Sequence, residues 1–311
     1  MFSRLAALSA LALVAPLAGC ADDGAGGADG EPTVITSIYP LQYVVERIVG
    51  DRVEVTNLTA PGQESHEFEL GIEQTAMLSE ADTVVYLAGF QPAVDEAIAQ
   101  QEPDQVVDVG EHADLRPADD HEHEDGEEDE EEHAHEHEGE HDPHFWLDPE
   151  RMADVAVAVE DALSDSHPDR AEELAANLGT LTADLAELDE DYRAGLADCE
   201  RTDVVVGHDA FGYLEKYGLQ LHPIAGLSPG AEPSPARLAE LSEVIEETGV
   251  TTVFSEVLAS PEMAETLSDE LGLRTAVLDP VEGLAEETSD EDYVSLMQKN
   301  LEALRRANGC R

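Results

Sequence analysis

Apolar residues at Leu174, Leu178, Leu181, Leu185, Leu188, Tyr192 and Leu196 recur at intervals of three and four, which holds one stripe along one side of a helix. The pattern predicts a helix over Pro168–Ala197, reaching 198 at its widest, of about eight turns and roughly 45 Å at 1.5 Å per residue. A second helical pattern, Arg151 to Leu163, precedes it, and His167-Pro168 separates the two. So long a helix spans more than one small lobe. It acts as a joint stiffer than a loop hinge, which favours a small tilt over clamshell closure.

On either side of this segment, short β-rich runs alternate with helical patterns, as in parallel sheets with crossover helices. The first half offers strands at Thr33–Ser37, Val53–Leu58, Asp82–Ala88 and Gln105–Val109, with helices at Leu41–Val49, Ile72–Ala81 and Pro92–Ala99 between them. The second offers strands at Asp203–Val206, Gln220–Ile224, Thr251–Ser255 and Thr275–Leu278. Ser234-Pro235 and Ser260-Pro261 each place a capping hydroxyl before a first-turn proline. The expected fold is α/β: two lobes, 33–150 and 201–311, each with a roughly four-stranded parallel sheet flanked by helices, joined by the helices of 151–200.

Charge is distributed unevenly. Asp and Glu number 72 against 15 Lys and Arg, a formal net charge of −57. Nucleic acid is excluded as a partner, because phosphate binding needs a basic face. The 24 residues from Asp119 to Asp142 comprise 15 Asp or Glu, 6 His, 2 Gly and 1 Ala, none able to anchor a core. The remaining surface, with Lys216 and Lys299 as its only lysines, reads as the hydrated acidic exterior of a salt-adapted protein.

Residues 1–19 have the form of a secretory signal: Arg4 supplies a positive charge, Leu5 to Leu17 an apolar stretch too short to span a membrane. Leu17-Ala18-Gly19-Cys20 resembles a bacterial lipobox, in which Cys20 becomes the lipidated first residue; an ordinary signal peptide with a chance cysteine is the alternative. Residues 21–32 read as a flexible tether. The expected location is extracytoplasmic, lipid-anchored at the outer face of the cell membrane. Cys199 and Cys310 remain, either bridged or as two separate buried thiols.

Outside Glu111–Asp142 there are five histidines: His66, His144, His167, His208 and His222. His66, His144 and His208 follow expected strands, and Asp279 follows another. Open parallel sheets form their crevice beyond the carboxyl ends of the strands, so these four residues can meet between the lobes. Three imidazoles and a carboxylate form a first shell suited to tetrahedral Zn2+. His167 reads as a surface residue, and His222, inside a strand, as packing or as a support to a ligand, not as a ligand itself.

At these residues the chain resembles the metal-binding lipoproteins of bacterial ABC transporters for zinc and manganese. The motifs are TSIYPLQYVVERIVGDRVEV, PGQESHEFEL, DPHFWLDP, VGHDAFGYLEKYGL and VFSEVLASPEMAETLSDELGLRTAVLDPVEGL, in that order along nearly the whole mature chain. The resemblance implies two β/α lobes joined by a backbone helix, and metal ligands at His66, His144, His208 and Asp279. In manganese-selective members the third ligand is a carboxylate, so His208 favours Zn2+ over Mn2+. Some zinc members carry a competing Glu just before the first histidine; here Ser65 holds that place with Glu64 one residue back, which leaves Asp279 as the expected fourth ligand. Glu256 is expected to orient an imidazole N–H, with Glu64 a weaker candidate for a supporting role.

The family's His-rich insertion falls on Glu111–Asp142. His121, His123, His133, His135, His137 and His141 are expected to make many weak metal sites, the alternative being a solvated acidic spacer. The function implied is non-enzymatic: a monomeric protein that captures Zn2+ and delivers it to an ABC permease. A manganese carrier and an adhesin or passive metal buffer are alternatives. A zinc hydrolase is less favoured, since no HExxH motif is present and a fourth protein ligand would close the site.

Overall fold

The structure, a computed structural model, describes residues 33–118 and 141–311. The signal segment, Cys20 and the tether lie outside the described residues. In the first lobe β1 (Thr33–Thr36), β2 (Glu54–Asn57), β3 (Thr83–Tyr86) and β4 (Val106–Asp108) pair in parallel in the order β2-β1-β3-β4. In the second, β5 (Asp203–Val206), β6 (Gln220–Pro223), β7 (Thr252–Ser255) and β8 (Arg274–Val277) repeat that topology as β6-β5-β7-β8. Strand β8 lies one residue earlier than expected, because its ladder ends where β7 does, at Ser255 opposite Val277.

Helices α1 (Tyr39–Val49), α2 (Ile72–Glu80) and α3 (Pro92–Gln101) flank the first sheet, α4 (Pro149–Ser166) and α5 (Ala171–Leu196) connect the lobes, and α6 (Pro235–Thr248), α7 (Glu262–Leu271) and α8 (Tyr293–Asn308) complete the second. Among the described residues no helix is long and apolar enough to cross a membrane. Capping follows the sequence in α6, where Ser234 Oγ accepts the N–H of Arg237 at 3.1 Å ahead of a first-turn Pro235. In α7 Pro261 itself takes the cap position, and Ser260 Oγ accepts only a long bond of 3.4 Å from Glu262.

The pleat divides each sheet's side chains between two cores. Val34 of β1 and Val204 and Val206 of β5 face the core around the connecting helices, whereas Ile35 and Val205 face the outer helices. That central core runs without a break from Val34 through Leu174, Leu181, Leu185, Leu188, Tyr192 and Leu196 of α5 to Leu278 in the second lobe. Leu178 is only half-buried at its edge. Helix α5 begins three residues later than expected, because the N–H of Arg170 donates to His167 O at 2.9 Å in the turn that reverses the chain after α4. Its 26 residues span about 39 Å. It is fastened to α1 by Arg47 and Asp184, and to α8 by Tyr192 Oη, which donates to Met297 O at 2.7 Å. A disulfide joins Cys199 to Cys310, so the end of α5 is tied covalently to the segment after α8. The separate-thiol alternative is thereby excluded.

In both sheets successive strands are added on opposite sides of the first, β2 and β3 flanking β1 and β6 and β7 flanking β5, so the winding switches between β1 and β3 and between β5 and β7. The two switch points mark where loops leave room for a ligand.

Candidate metal centre

The β2–α2 loop carries His66, the segment before α4 carries His144, the residue pair after β5 ends in His208, and the loop after β8 carries Glu282. One ligand atom from each lies within 4.8 Å of all the others. His144 Nε2 is 3.3 Å from His66 Nε2 and 3.4 Å from His208 Nε2. Glu282 Oε1 stands 3.4 Å from each of the three Nε2 atoms. A regular tetrahedron with edges of this length has its centre about 2.0–2.1 Å from every vertex, the bond length of Zn2+ to imidazole nitrogen and carboxylate oxygen. Five of the six separations here have that length, and the sixth, between His66 and His208, is within 4.8 Å. Mn2+ favours more oxygen and a higher coordination number.

Local hydrogen bonds turn the rings inward. Asp142 Oδ1 takes the backbone N–H of His144 at 3.0 Å and pairs with its Nδ1 at 2.8 Å. Glu256 does the same for His208, accepting the backbone N–H at 2.8 Å and pairing with Nδ1 at 2.6 Å. A carboxylate at Nδ1 keeps the proton there and leaves the Nε2 lone pair free for a metal. His66 is held through its backbone, its N–H donating to Glu64 Oε1 at 2.8 Å, while Phe90 stands edge-on to its ring at 4.7 Å. Trp146 packs against His144 at 5.4 Å and walls the site. His66 is the most accessible of the four, with 11% of its side chain exposed against 5% or less for the others.

Residues 34–307 match the family described as zinc-uptake complex component A, periplasmic. The chain belongs to this family. It is 37% identical over 308 residues to a zinc-binding lipoprotein AdcA of Streptococcus pneumoniae, covering 97% of this chain and 59% of that protein. The chain thus spans about three-fifths of the length of these streptococcal relatives. With the high-affinity zinc uptake system protein ZnuA of Bacillus subtilis it shares 34% identity over 317 residues, 98% of each chain. The Zn(II)-bound ZnuA-like domain of Streptococcus pneumoniae AdcA superposes with a TM-score of 0.73 at 33% identity, covering 90% of this chain and 99% of that one. The laminin binding protein Lmb of Streptococcus agalactiae has a TM-score of 0.77 at 23% identity, a likeness of fold alone.

Within this zinc-uptake family member, the structure differs from the sequence expectation at the fourth vertex. Asp279 is buried beside the cluster but stays outside it, because its Oδ1 turns back to accept the N–H of Val281 at 2.8 Å. Its backbone is clamped by Asn300, which accepts the Asp279 N–H at 2.8 Å and donates to the Asp279 carbonyl at 2.6 Å. The turn carries Val281 into the left-handed region at φ 59°, and the longer side chain of Glu282 then enters the cluster. An acid three residues beyond the aspartate in LDPVEG was the available signal. Glu64 is likewise outside the cluster, its two oxygens accepting the N–H groups of His66 and Glu67 at 2.8 Å each. Glu256 pairs with Nδ1 of His208. His141 is exposed and forms a bridge with Pro117, away from the cluster; His121, His123, His133, His135 and His137 lie outside the described residues. His222 pairs with Asp203 at 2.9 Å.

Without metal, the buried groups of the centre are shifted in opposite directions. Burial pulls His208 downward, but hydrogen bonds to Glu256 and Glu282 outweigh it and hold the imidazole at about 10. His144 is raised in the same way, against burial, by Asp142 and Glu282. Burial pushes Glu282 upward, yet the three imidazoles keep it well below the usual carboxylate range. The contacts that raise His144 and His208 are the same ones that lower Glu282.

A second acidic group was not anticipated: Asp148, Glu150 and Asp189 converge between α4 and α5. Lys216 Nζ lies 2.6, 2.6 and 3.0 Å from their oxygens, so a cation of the chain itself already fills this group.

Proposed function

We propose that the protein captures Zn2+ in the centre formed by His66, His144, His208 and Glu282, and delivers it to an ABC permease at the outer face of a membrane. The observation that carries this reading is the convergence of four ligand atoms, five of their six separations being 3.3–3.4 Å and the sixth within 4.8 Å, which suits one tetrahedral Zn2+. Four protein ligands leave no open coordination position, which weighs against a hydrolase. The names of the relatives, a lipoprotein and an uptake component, support membrane attachment through Cys20 and transfer to a permease. The disulfide accords with an oxidising compartment.

Metal-by-metal titration with native mass spectrometry tests the reading. One tight equivalent of Zn2+ per chain, not displaced by equimolar Mn2+, is the expected result. Equal affinity for Mn2+, or no tight equivalent, overturns it.

A further inference from the structure

The two carboxylates that pair with the buried imidazoles are anchored in different ways. Glu256 follows β7 in the same lobe as its histidine. Asp142 is the last residue of the acidic histidine segment, and its main chain is gripped from two directions. Its N–H donates to Arg116 O at 2.9 Å, beside the bridge between Pro117 and His141, so the two ends of the segment meet in a narrow neck. From the second lobe, Tyr213 Oη donates to Asp142 O at 2.7 Å and accepts the Arg116 N–H at 2.9 Å, joining both strands of the neck.

Tyr213 lies in the 3-10 segment Phe211–Tyr217 that follows His208. The neck approaches this segment so closely that a Cβ on Gly212 would stand 2.7 Å from Arg116 Nη1 and 3.2 Å from Asp142 Oδ2. The guanidinium of Arg151 covers the Tyr213 ring at 5.2 Å, and Arg116 reaches Glu215 at 3.0 Å. Asp142 therefore has little freedom, and one of its oxygens carries both the main chain and the ring of His144.

We propose that Asp142, held by Tyr213 from the opposite lobe, is the positioning residue that aims His144 at the metal. This rests on the zinc-capture reading above. An imidazole can rotate about χ2 and exchange tautomers, and only one combination presents an Nε2 lone pair to the centre. Asp142 selects that combination, and Tyr213 makes the selection depend on contact between the lobes. The same residue terminates the acidic histidine segment, two residues before the ligand His144.

The test uses the full chain, with zinc affinity measured by competition against a chromophoric chelator. The second readout is the imidazole 15N–1H spectrum of the zinc-loaded protein. Asp142→Asn is expected to weaken zinc binding about 10- to 100-fold and to move the His144 Nδ1–H signal while that of His208 stays in place. Tyr213→Phe, which keeps the ring, is expected to move the same signal with a smaller loss of affinity. Wild-type affinity in Asp142→Asn, or an unmoved His144 signal in both variants, overturns the proposal. If the unaltered protein takes up no tight zinc, the functional reading and this inference fall together. If it binds zinc and loses it in His144→Ala while Asp142→Asn is silent, only the role of Asp142 falls.

Discussion

Asp279 Oδ1 accepts the N–H of Val281 at 2.8 Å, and this short turn determines which acid reaches the metal centre. The expected consequence is an unequal response to neutralising the two acids. Glu282→Gln should cost zinc affinity at least about 100-fold, whereas Asp279→Asn, which can form the same turn, should cost less than about 10-fold. Calorimetry or chelator competition on the pair decides the matter, and the reverse order would return Asp279 to the first shell.

The pH dependence follows from groups shifted in opposite directions. His208, raised from 6.5 to about 10, contributes stability to the metal-free fold that is fully present below pH 6.5 and lost as pH rises through about 10. Glu282, lowered from 4.5, contributes stability present above pH 4.5 and lost as pH falls through its depressed value. The melting temperature of the metal-free protein should therefore be highest between pH 4.5 and 6.5, where the shared contact between the two groups is fully charged, and fall on either side. Zinc must displace the imidazole protons, so its affinity should rise with pH and its binding heat should depend on the ionisation enthalpy of the buffer.

The Cys199–Cys310 bridge closes a loop across 111 residues, and none of the four proposed ligands is either cysteine. In the chain-entropy model its loss removes roughly 4–5 kcal/mol. The Cys199→Ser, Cys310→Ser double variant should unfold at much lower denaturant concentration while its zinc stoichiometry stays at one.

Lys216 balances Asp148, Glu150 and Asp189, with 20% of its side chain exposed. Lys216→Met would leave Asp148, Glu150 and Asp189 with only Arg151 and Arg193, which pair with them from the edges of the group. A loss of roughly 2–4 kcal/mol in chemical denaturation is expected, partly recovered by Asp189→Asn in the same chain. An unchanged midpoint would mean that the lysine adds nothing to the fold.

Deleting residues 119–140 removes five of the acidic segment's histidines but spares the neck and Asp142. The tight equivalent of zinc should survive with affinity within a few-fold of the full chain, and only weak equivalents should disappear in native mass spectra. A deletion extended through Asp142 should instead weaken the tight site as Asp142→Asn does.

Much of this architecture is readable in the sequence because local chemistry dictates it. The three-and-four spacing of Leu174 to Leu196 can bury its stripe only as a helix, and runs such as Asp203–Val206 suit only a strand with both faces covered. The positions of His66, His144 and His208 beyond strands follow from the same reading, since parallel sheets open their crevice there. Glu256 is legible for the same reason.

The fourth ligand was not legible, because Asp279 and Glu282 lie three residues apart in one loop and both are acids. Their roles are separated by the turn to Val281, the clamp from Asn300 and the left-handed Val281 backbone, all of which depend on contacts with distant segments. The roles of Asp142 and Lys216 were hidden for a related reason: each is one acid or base in a strongly charged chain, and its partners, Tyr213 and Asp189 among them, come from other elements. Periodicity and strand termination are local properties, so the elements, the two-lobed α/β plan and three imidazoles at strand ends can be read directly from the residues. Which carboxylate completes the centre, and the pairing of Asp142 with His144, depend on tertiary contacts, because hydrogen-bond direction depends on where remote parts of the chain come to rest.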